Sequence, residues 1–273
     1  MGTSSAAFNW IRELVAERAG NVLDDQKTYL VETRLRPLVE SEGLDSVDAL
    51  VHRLKSEPNR ALQRRCVEAL LIHESSFFRD PHYFDALADN VLPELLECRQ
   101  PARRLTIWCA ACATGQEAFS LAMLLHERFP ELLSDWELDF VASDLSQTAI
   151  QQATDGTYSQ VEMDRGLSPE RTARFFQSTD DRWKPTDLLR QTIRFQEVNL
   201  LKDSIPVIGI DLVLIRNVLI YMNDPTRQMI LARIRNNIAP HGHVMLGATE
   251  TLFDIDTGFE RAPGAVPTYR PAR

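Results

Sequence analysis

The chain has 273 residues, 44% of them hydrophobic and 25% charged, with a formal net charge of −9. That length suits one large or two modest domains, and the acidic balance argues against nucleic acid as a substrate, because phosphate binding draws on a basic footprint. No apolar run approaches the ~20 residues of a membrane span, and the start lacks a basic-then-apolar leader, so a cytoplasmic protein without membrane insertion is expected.

Residues 1–75 read as a small all-helical domain. Phe8, Ile11, Leu14 and Val15 share one helical face, and Leu30, Val31, Leu35, Leu38 and Val39 share another. A third helix starts near Val47, capped by Asp45 or Ser46, and a fourth spans 58–72. Arg34, Arg36, Arg53, Lys55, Arg60, Arg64 and Arg65 are numerous enough to form one cationic face, although ordinary helix solvation is the simpler account of them.

From about residue 102 apolar strands alternate with helices, the pattern of a parallel sheet covered on both faces. Leu105, Ile107 and Trp108 open the first strand, and the side chains then stay small up to Gly115. A helix follows, with Phe119, Leu121, Ala122, Leu124 and Leu125 as its apolar face. Leu138 to Ala142, Ile193 to Leu200, Ile210 to Ile215 and His243 to Gly247 are further strands, and helices are expected at 146–155 and 225–238. Pro240 and Gly242 mark a turn before the strand at 243. Residues 157–191 break the rhythm and read as an insertion with a short helix at 169–176 and a small antiparallel piece. The tail after Gly258, with three prolines, is expected to be partly extended.

The strand, small-residue turn and helix at 105–123 make a nucleotide-cradling unit, and Asp144, ending the second strand, stands where Rossmann-like folds place an acid that accepts from ribose hydroxyls. A dinucleotide site would want three glycines in the turn; only Gly115 is present, and Glu117 would face a phosphate with like charge. S-adenosylmethionine has no phosphate and carries sulfonium and ammonium cations, so Glu117 favours that cofactor. The bland alternative is a generic strand-turn-helix unit with Glu117 solvated. Cys109 and Cys112 form Cys-x-x-Cys, but no second pair stands at ligand spacing, so no metal is expected and the two thiols read as small apolar fillers.

Three segments together resemble the CheR family of chemotaxis receptor methyltransferases. His73-Glu-Ser-Ser-Phe-Phe-Arg-Asp-Pro is similar to the family's Asn-Glu-Thr-x-Phe-Phe-Arg signature. Cys112-Ala-Thr-Gly-Gln-Glu-Ala-Phe-Ser-Leu-Ala-Met is close to Ser-Thr-Gly-Glu-Glu-Pro-Tyr-Ser-Leu-Ala-Met, and Arg216-Asn-Val-Leu-Ile-Tyr-Met to Arg-Asn-Val-Leu-Ile-Tyr-Phe. The resemblance implies an α/β, Rossmann-like class I methyltransferase domain over 76–273, behind the helical domain at 1–75. It implies that His73, Ser75, Arg79, Glu117, Asp144, Asn199, Leu200, Arg216 and Asn217 surround S-adenosylmethionine, which leaves as S-adenosylhomocysteine. Glu117 would meet the ammonium or sulfonium end, Asp144 the ribose, and Arg79 the methionine carboxylate; a surface ion pair of Arg79 with Asp80 or Asp85 is the competing reading. His73 and Ser75 depart from the usual Asn and Thr, and the histidine is larger and titratable near neutrality.

The implied acceptor is a glutamate side chain on the cytoplasmic coiled coil of a chemoreceptor, with Tyr221 and Arg79 as the candidates that orient it. Arg34, Arg36, Arg53 and Lys55 are the candidate recognition residues of the helical domain. Some family members also dock through the insertion onto a receptor-terminal pentapeptide, using a glycine-rich stretch; none occurs around Phe175 to Trp183, so independence of that tether is expected, as is a monomer. Two rivals remain: a methyltransferase of the same fold with a small-molecule or RNA substrate, and a module that binds the cofactor without transferring its methyl group.

Overall fold

The computed structural model describes residues 3–24, 28–57, 59–253, 255 and 257–272. The chain divides into two compact units, residues 1–72 with 221–226, and 73–220 with 227–273.

The first unit is built on four helices, α1 (Ser5–Ala19), α2 (Thr28–Ser41), α3 (Val47–Ser56) and α4 (Arg60–Leu70). Ser4, Ser46 and Asn59 cap α1, α3 and α4 by accepting backbone N–H groups, which settles the α3 cap on Ser46 rather than Asp45. Their apolar stripes meet in a core containing Ile11, Val15, Val31, Leu35, Leu50, Leu54 and Cys66, all under 4% exposed. The fourth helix is shorter than its apolar pattern suggested, and Pro58 lies outside the described residues. Several of the arginines have structural work within this unit. Arg34 donates to the Leu70 and Leu71 carbonyls at 3.0 Å, closing the end of α4, while Arg53 and Arg65 converge on Glu42. Arg36 acts through its charge on Glu32, one turn earlier on α2, and Lys55 sits over the Trp10 ring.

The second unit is a seven-stranded sheet. Its strands are β1 (Arg104–Ala110), β2 (Glu137–Asp144), β5 (Arg194–Glu197), β6 (Ile210–Ile215), β7 (Ile238–Leu246), β8 (Phe259–Arg261) and β9 (Thr268–Pro271), in the order β5-β2-β1-β6-β7-β9-β8. The first five in that order are parallel, and β9 and β8 close the sheet antiparallel. The tail after Gly258 therefore supplies two strands. Every side chain of β6 and all but the first of β1 is buried, as strands covered on both faces require. Helices Gln116–Arg128, Gln147–Asp155 and Asp224–Arg235 pack beside it, with residues 81–99, helical throughout, entering from before β1; the sequence reading assigned nothing to that stretch.

Two expectations are corrected here. β7 begins at Ile238 and runs through Pro240, because the register against β6 shifts between Ile210 and Leu212, so the ladder skips the residue that has no N–H to give. Gly242 belongs to that irregularity: a Cβ there would lie 2.7 Å from the Ile210 carbonyl oxygen. Strand β5 ends at Glu197, so Asn199 and Leu200 lie in the loop beyond it. The insertion does contain an antiparallel hairpin, β3 (Phe176–Thr179) with β4 (Arg182–Pro185), after a helix at Pro169–Phe175.

On β7, His243 is 1% exposed and its Nε2 accepts from Arg270 Nε at 2.9 Å. Burial, then the Arg270 and His241 charges, push its pKa down to about 4. Between the unfolded value near ~6.5 and this one the unfolded chain holds more protons, so stability is complete above that window and falls as the pH drops through it, by about 3 kcal/mol at most. Denaturant midpoints of wild type and His243→Gln, measured from pH 7 to pH 4, are expected to show a shallower loss for the variant; equal slopes would refute the assignment.

Candidate functional site

The chain order reverses at β1, which has β2 on one side and β6 on the other, so the loops leaving β1, β2 and β6 open into a crevice at the carboxyl edge. Ligands of open parallel sheets bind there. The loop after β1 reaches this position through three left-handed residues, Ala111, Ala113 and Gly115. It is pinned to the end of β2: Cys112 N–H donates to the Ser143 carbonyl, and Ala113 N–H donates to Asp144 Oδ2, both at 2.9 Å. At Gly115, with φ +92°, a Cβ would stand 2.9 Å from Ala153 Cβ, so only glycine fits.

Asp144 accepts the Ala113 N–H on Oδ2 and the Ser146 N–H on Oδ1, and the Leu145 N–H is also directed at it; the four lone-pair sites of a carboxylate still leave acceptor capacity. Burial raises its pKa, opposed by the Ser146 N–H, the nearby His73 ring and the Ala113 N–H. His73 Nε2 is itself covered and has no hydrogen-bond partner among the described residues. An orphaned imidazole nitrogen beside a carboxylate with spare lone pairs suits a ligand that both donates and accepts hydrogen bonds, as a ribose does.

Arg216 is 5% exposed and organises the opposite wall. It donates to Glu117 from Nη1, and from Nη2 to Asp80 Oδ2 at 2.8 Å and to the Arg79 carbonyl at 3.1 Å, with its guanidinium 4.3 Å from the Tyr83 ring centroid. Two carboxylates against one guanidinium leave an excess of one negative charge, which fits a cationic ligand. Asp80 thus pairs with Arg216 and not with Arg79, whose Nη1 donates to the Glu74 carbonyl at 3.4 Å and whose guanidinium has no carboxylate partner among the described residues.

The structure brings Glu117, Arg216 and the Arg79 backbone together, and sets His73 beside Asp144. Asn199 Oδ1 turns inward to accept from Leu201 N–H, and the Leu200 carbonyl accepts from Arg233. Asn217, at φ 58°, donates its N–H to Glu250. Ser75 is half-buried. Tyr221 belongs to the first unit, where its carbonyl accepts from Val22 N–H at 2.8 Å. Burial pushes the Cys109 and Cys112 thiols well up, so both stay protonated, and Cys109 Sγ lies 3.5 Å from Glu117 Oε1.

Three residues that matter here escaped the sequence reading. Glu250 accepts four backbone N–H groups, from Asn217, Val218, Ile220 and Gly247, at 2.7–3.1 Å, and so ties the β6 loop to the β7 loop. Tyr158, at the head of the insertion, donates its hydroxyl to the Thr114 carbonyl at 2.7 Å and packs edge-on against Phe77. Ser120 accepts the Phe78 N–H at 2.8 Å, fixing the segment that presents His73 to Asp80. Phe78 and Asp80 are both left-handed in that segment, and the carbonyl of Phe77 comes so close to Gly166 that a Cβ there would lie at 1.9 Å.

Residues 6–71 match the family model described as CheR methyltransferase, all-alpha domain, and residues 73–266 the one described as CheR methyltransferase, SAM binding domain. The chain is 36% identical over 273 residues to chemotaxis protein methyltransferase Cher2 of Pseudomonas putida, covering 97% of this chain and 98% of that protein. It is 36% identical, with the same coverage, to chemotaxis protein methyltransferase 1 of Pseudomonas aeruginosa. With the chemotaxis protein methyltransferase of Escherichia coli the identity is 29% over 264 residues, 95% of this chain and 89% of the other.

Proposed function

The chain belongs to the CheR methyltransferase family, and from that premise we infer that it is a protein-glutamate O-methyltransferase acting on the cytoplasmic coiled coil of chemoreceptors. The observation that carries the reading is the charge balance at Asp80, Arg216 and Glu117, which offers a single excess negative charge where a phosphate-bearing coenzyme would be repelled. When bound, S-adenosylmethionine supplies a methyl group on a positively charged sulfur and leaves as S-adenosylhomocysteine.

The residues present fit that group. Asp144, with His73, Asn199 and Leu200 near the ends of β2 and β5, holds the nucleoside. Glu117, kept in place by Arg216, would face the cationic end, with Asn217 following Arg216 on the β6 loop, while Ser75 and Arg79 would take the methionine carboxylate. The protein needs no general base. A glutamate with an ordinary pKa near ~4.3 is already ionised at neutral pH, so placement does most of the work. Tyr221 orients the acceptor carboxylate, and its hydroxyl leaves the nucleophile more reactive than a tight arginine pair would; Arg79 assists.

In the helical unit, Arg36 and Lys55 are the cations with least structural work, so they are the first choice for meeting an acidic receptor helix, ahead of Arg34 and Arg53. The short hairpin of the insertion, with no glycine in it, supports independence of a pentapeptide tether. Cytoplasmic placement and a monomeric state complete the proposal; no helix among the described residues is long and apolar enough to cross a membrane.

The test is incubation with methyl-labelled S-adenosylmethionine and purified receptor cytoplasmic fragments carrying Glu or Gln at the candidate sites. Label that appears only on the Glu fragments and is lost in base is expected. Cofactor binding without any labelling would overturn the enzymatic reading.

A further inference from the structure

At the same carboxyl edge, the loop after β7 and the start of β9 enclose a second cavity of about 280 Å³, lined by His82, Tyr83, Thr249, Thr251, Arg261 and Tyr269 together with Glu250. None of these belongs to the cofactor set. The volume lies just below the range of pockets that take whole small molecules, so an occupant the size of one side chain is the better match.

The chemistry of the lining is that of a carboxylate site. Arg261 is exposed and has no carboxylate partner among the described residues. Tyr83 is 1% exposed, its hydroxyl has no hydrogen-bond partner among the described residues, and the charges of Glu250 and Arg261 both act on it. Tyr269 accepts the Leu252 N–H on its hydroxyl oxygen, and that hydroxyl pairs with Thr251 Oγ1 at 3.5 Å, so the two hydroxyls together hold one donor for a ligand. The one acidic wall group is Glu250, and its two oxygens are covered by four backbone N–H groups. What remains for a ligand is a guanidinium, an imidazole and several hydroxyls, the donor set that a carboxylate pairs with.

The cavity shares two walls with the cofactor loops. The Tyr83 ring lies against the Arg216 guanidinium, and Glu250 holds the N–H of Asn217. On a helix, side chains three or four positions apart are close neighbours, so a receptor helix presenting one glutamate for methylation also brings an adjacent acidic side chain to this edge.

The geometry points to this cavity as a specificity subsite that takes a second, unreacted acidic side chain of the acceptor protein, with Arg261 as its recognising residue. It rests on the reading of the chain as a protein-glutamate methyltransferase. The test uses the full-length enzyme, Arg261→Gln, and a purified receptor cytoplasmic fragment with acidic residues three or four positions from its methylated glutamate.

Arg261→Gln is expected to raise the KM for the fragment ~10-fold, the scale of one charge-assisted hydrogen bond, with kcat and calorimetric cofactor affinity retained. Neutralising the adjacent acid in the fragment is expected to raise the wild-type KM by a similar factor and to leave the Arg261→Gln KM where it was. An unchanged KM for Arg261→Gln while methyl transfer proceeds, or two losses that simply multiply, would overturn the subsite and leave the methyltransferase reading intact. No methyl transfer by the wild-type enzyme would remove both.

Discussion

Replacing Arg216 by methionine is expected to destabilise the second unit by on the order of 3 kcal/mol and to abolish measurable cofactor binding. The guanidinium is almost fully enclosed, its side chain 1% exposed, and it serves Glu117 and Asp80, whose side chains are 12% and 30% exposed. Removing one partner of a buried ion pair leaves an uncompensated charge, and that penalty exceeds what the pair contributed while intact. Methionine fills much of the volume above Tyr83, so the loss should be electrostatic in origin. Adding Glu117→Gln to Arg216→Met should therefore recover part of the stability in denaturant titrations while leaving cofactor binding absent. A single variant as stable as wild type would show that the cluster is solvated after all.

Asp144→Ala is expected to weaken S-adenosylmethionine binding by about 100-fold, as two charge-assisted hydrogen bonds of roughly 1.5 kcal/mol each would give. The same change also frees the N–H groups of Ala113 and Ser146, so the loop after β1 loses its tie to β2. Tyr221→Phe should behave in the opposite way, with turnover down and affinity within about twofold, because the lost hydroxyl acts on the acceptor. Calorimetry with the cofactor and a methyl-transfer assay separate the two cases. Equal losses of affinity in both variants would refute the division of roles.

Much of the candidate site was legible one motif at a time. The small residues up to Gly115, the acid at 117 and the acid ending β2 each announce themselves within a few positions, because a tight turn under a ligand tolerates few side chains. The same locality explains why Asp80 entered the sequence reading only as a competing partner for Arg79. Its neighbour in sequence is Arg79, whereas its partner in the fold is Arg216, 136 positions away. Tyr158 and Glu250 carried no signal for a related reason: each acts on backbone groups of a distant loop, and nothing in their own surroundings marks them for it.

Apolar periodicity and short motifs, which depend on residues a turn or a strand apart, were enough to establish a helical unit followed by an α/β unit with a small-residue loop after its first strand and an acid ending its second. Only the folded chain decided who neutralises whom. Ion pairs and hydrogen bonds act over a few ångströms in space without regard to separation along the chain, so the Arg216 cluster and the Glu250 clamp came into view once β1, β6 and β7 lay side by side.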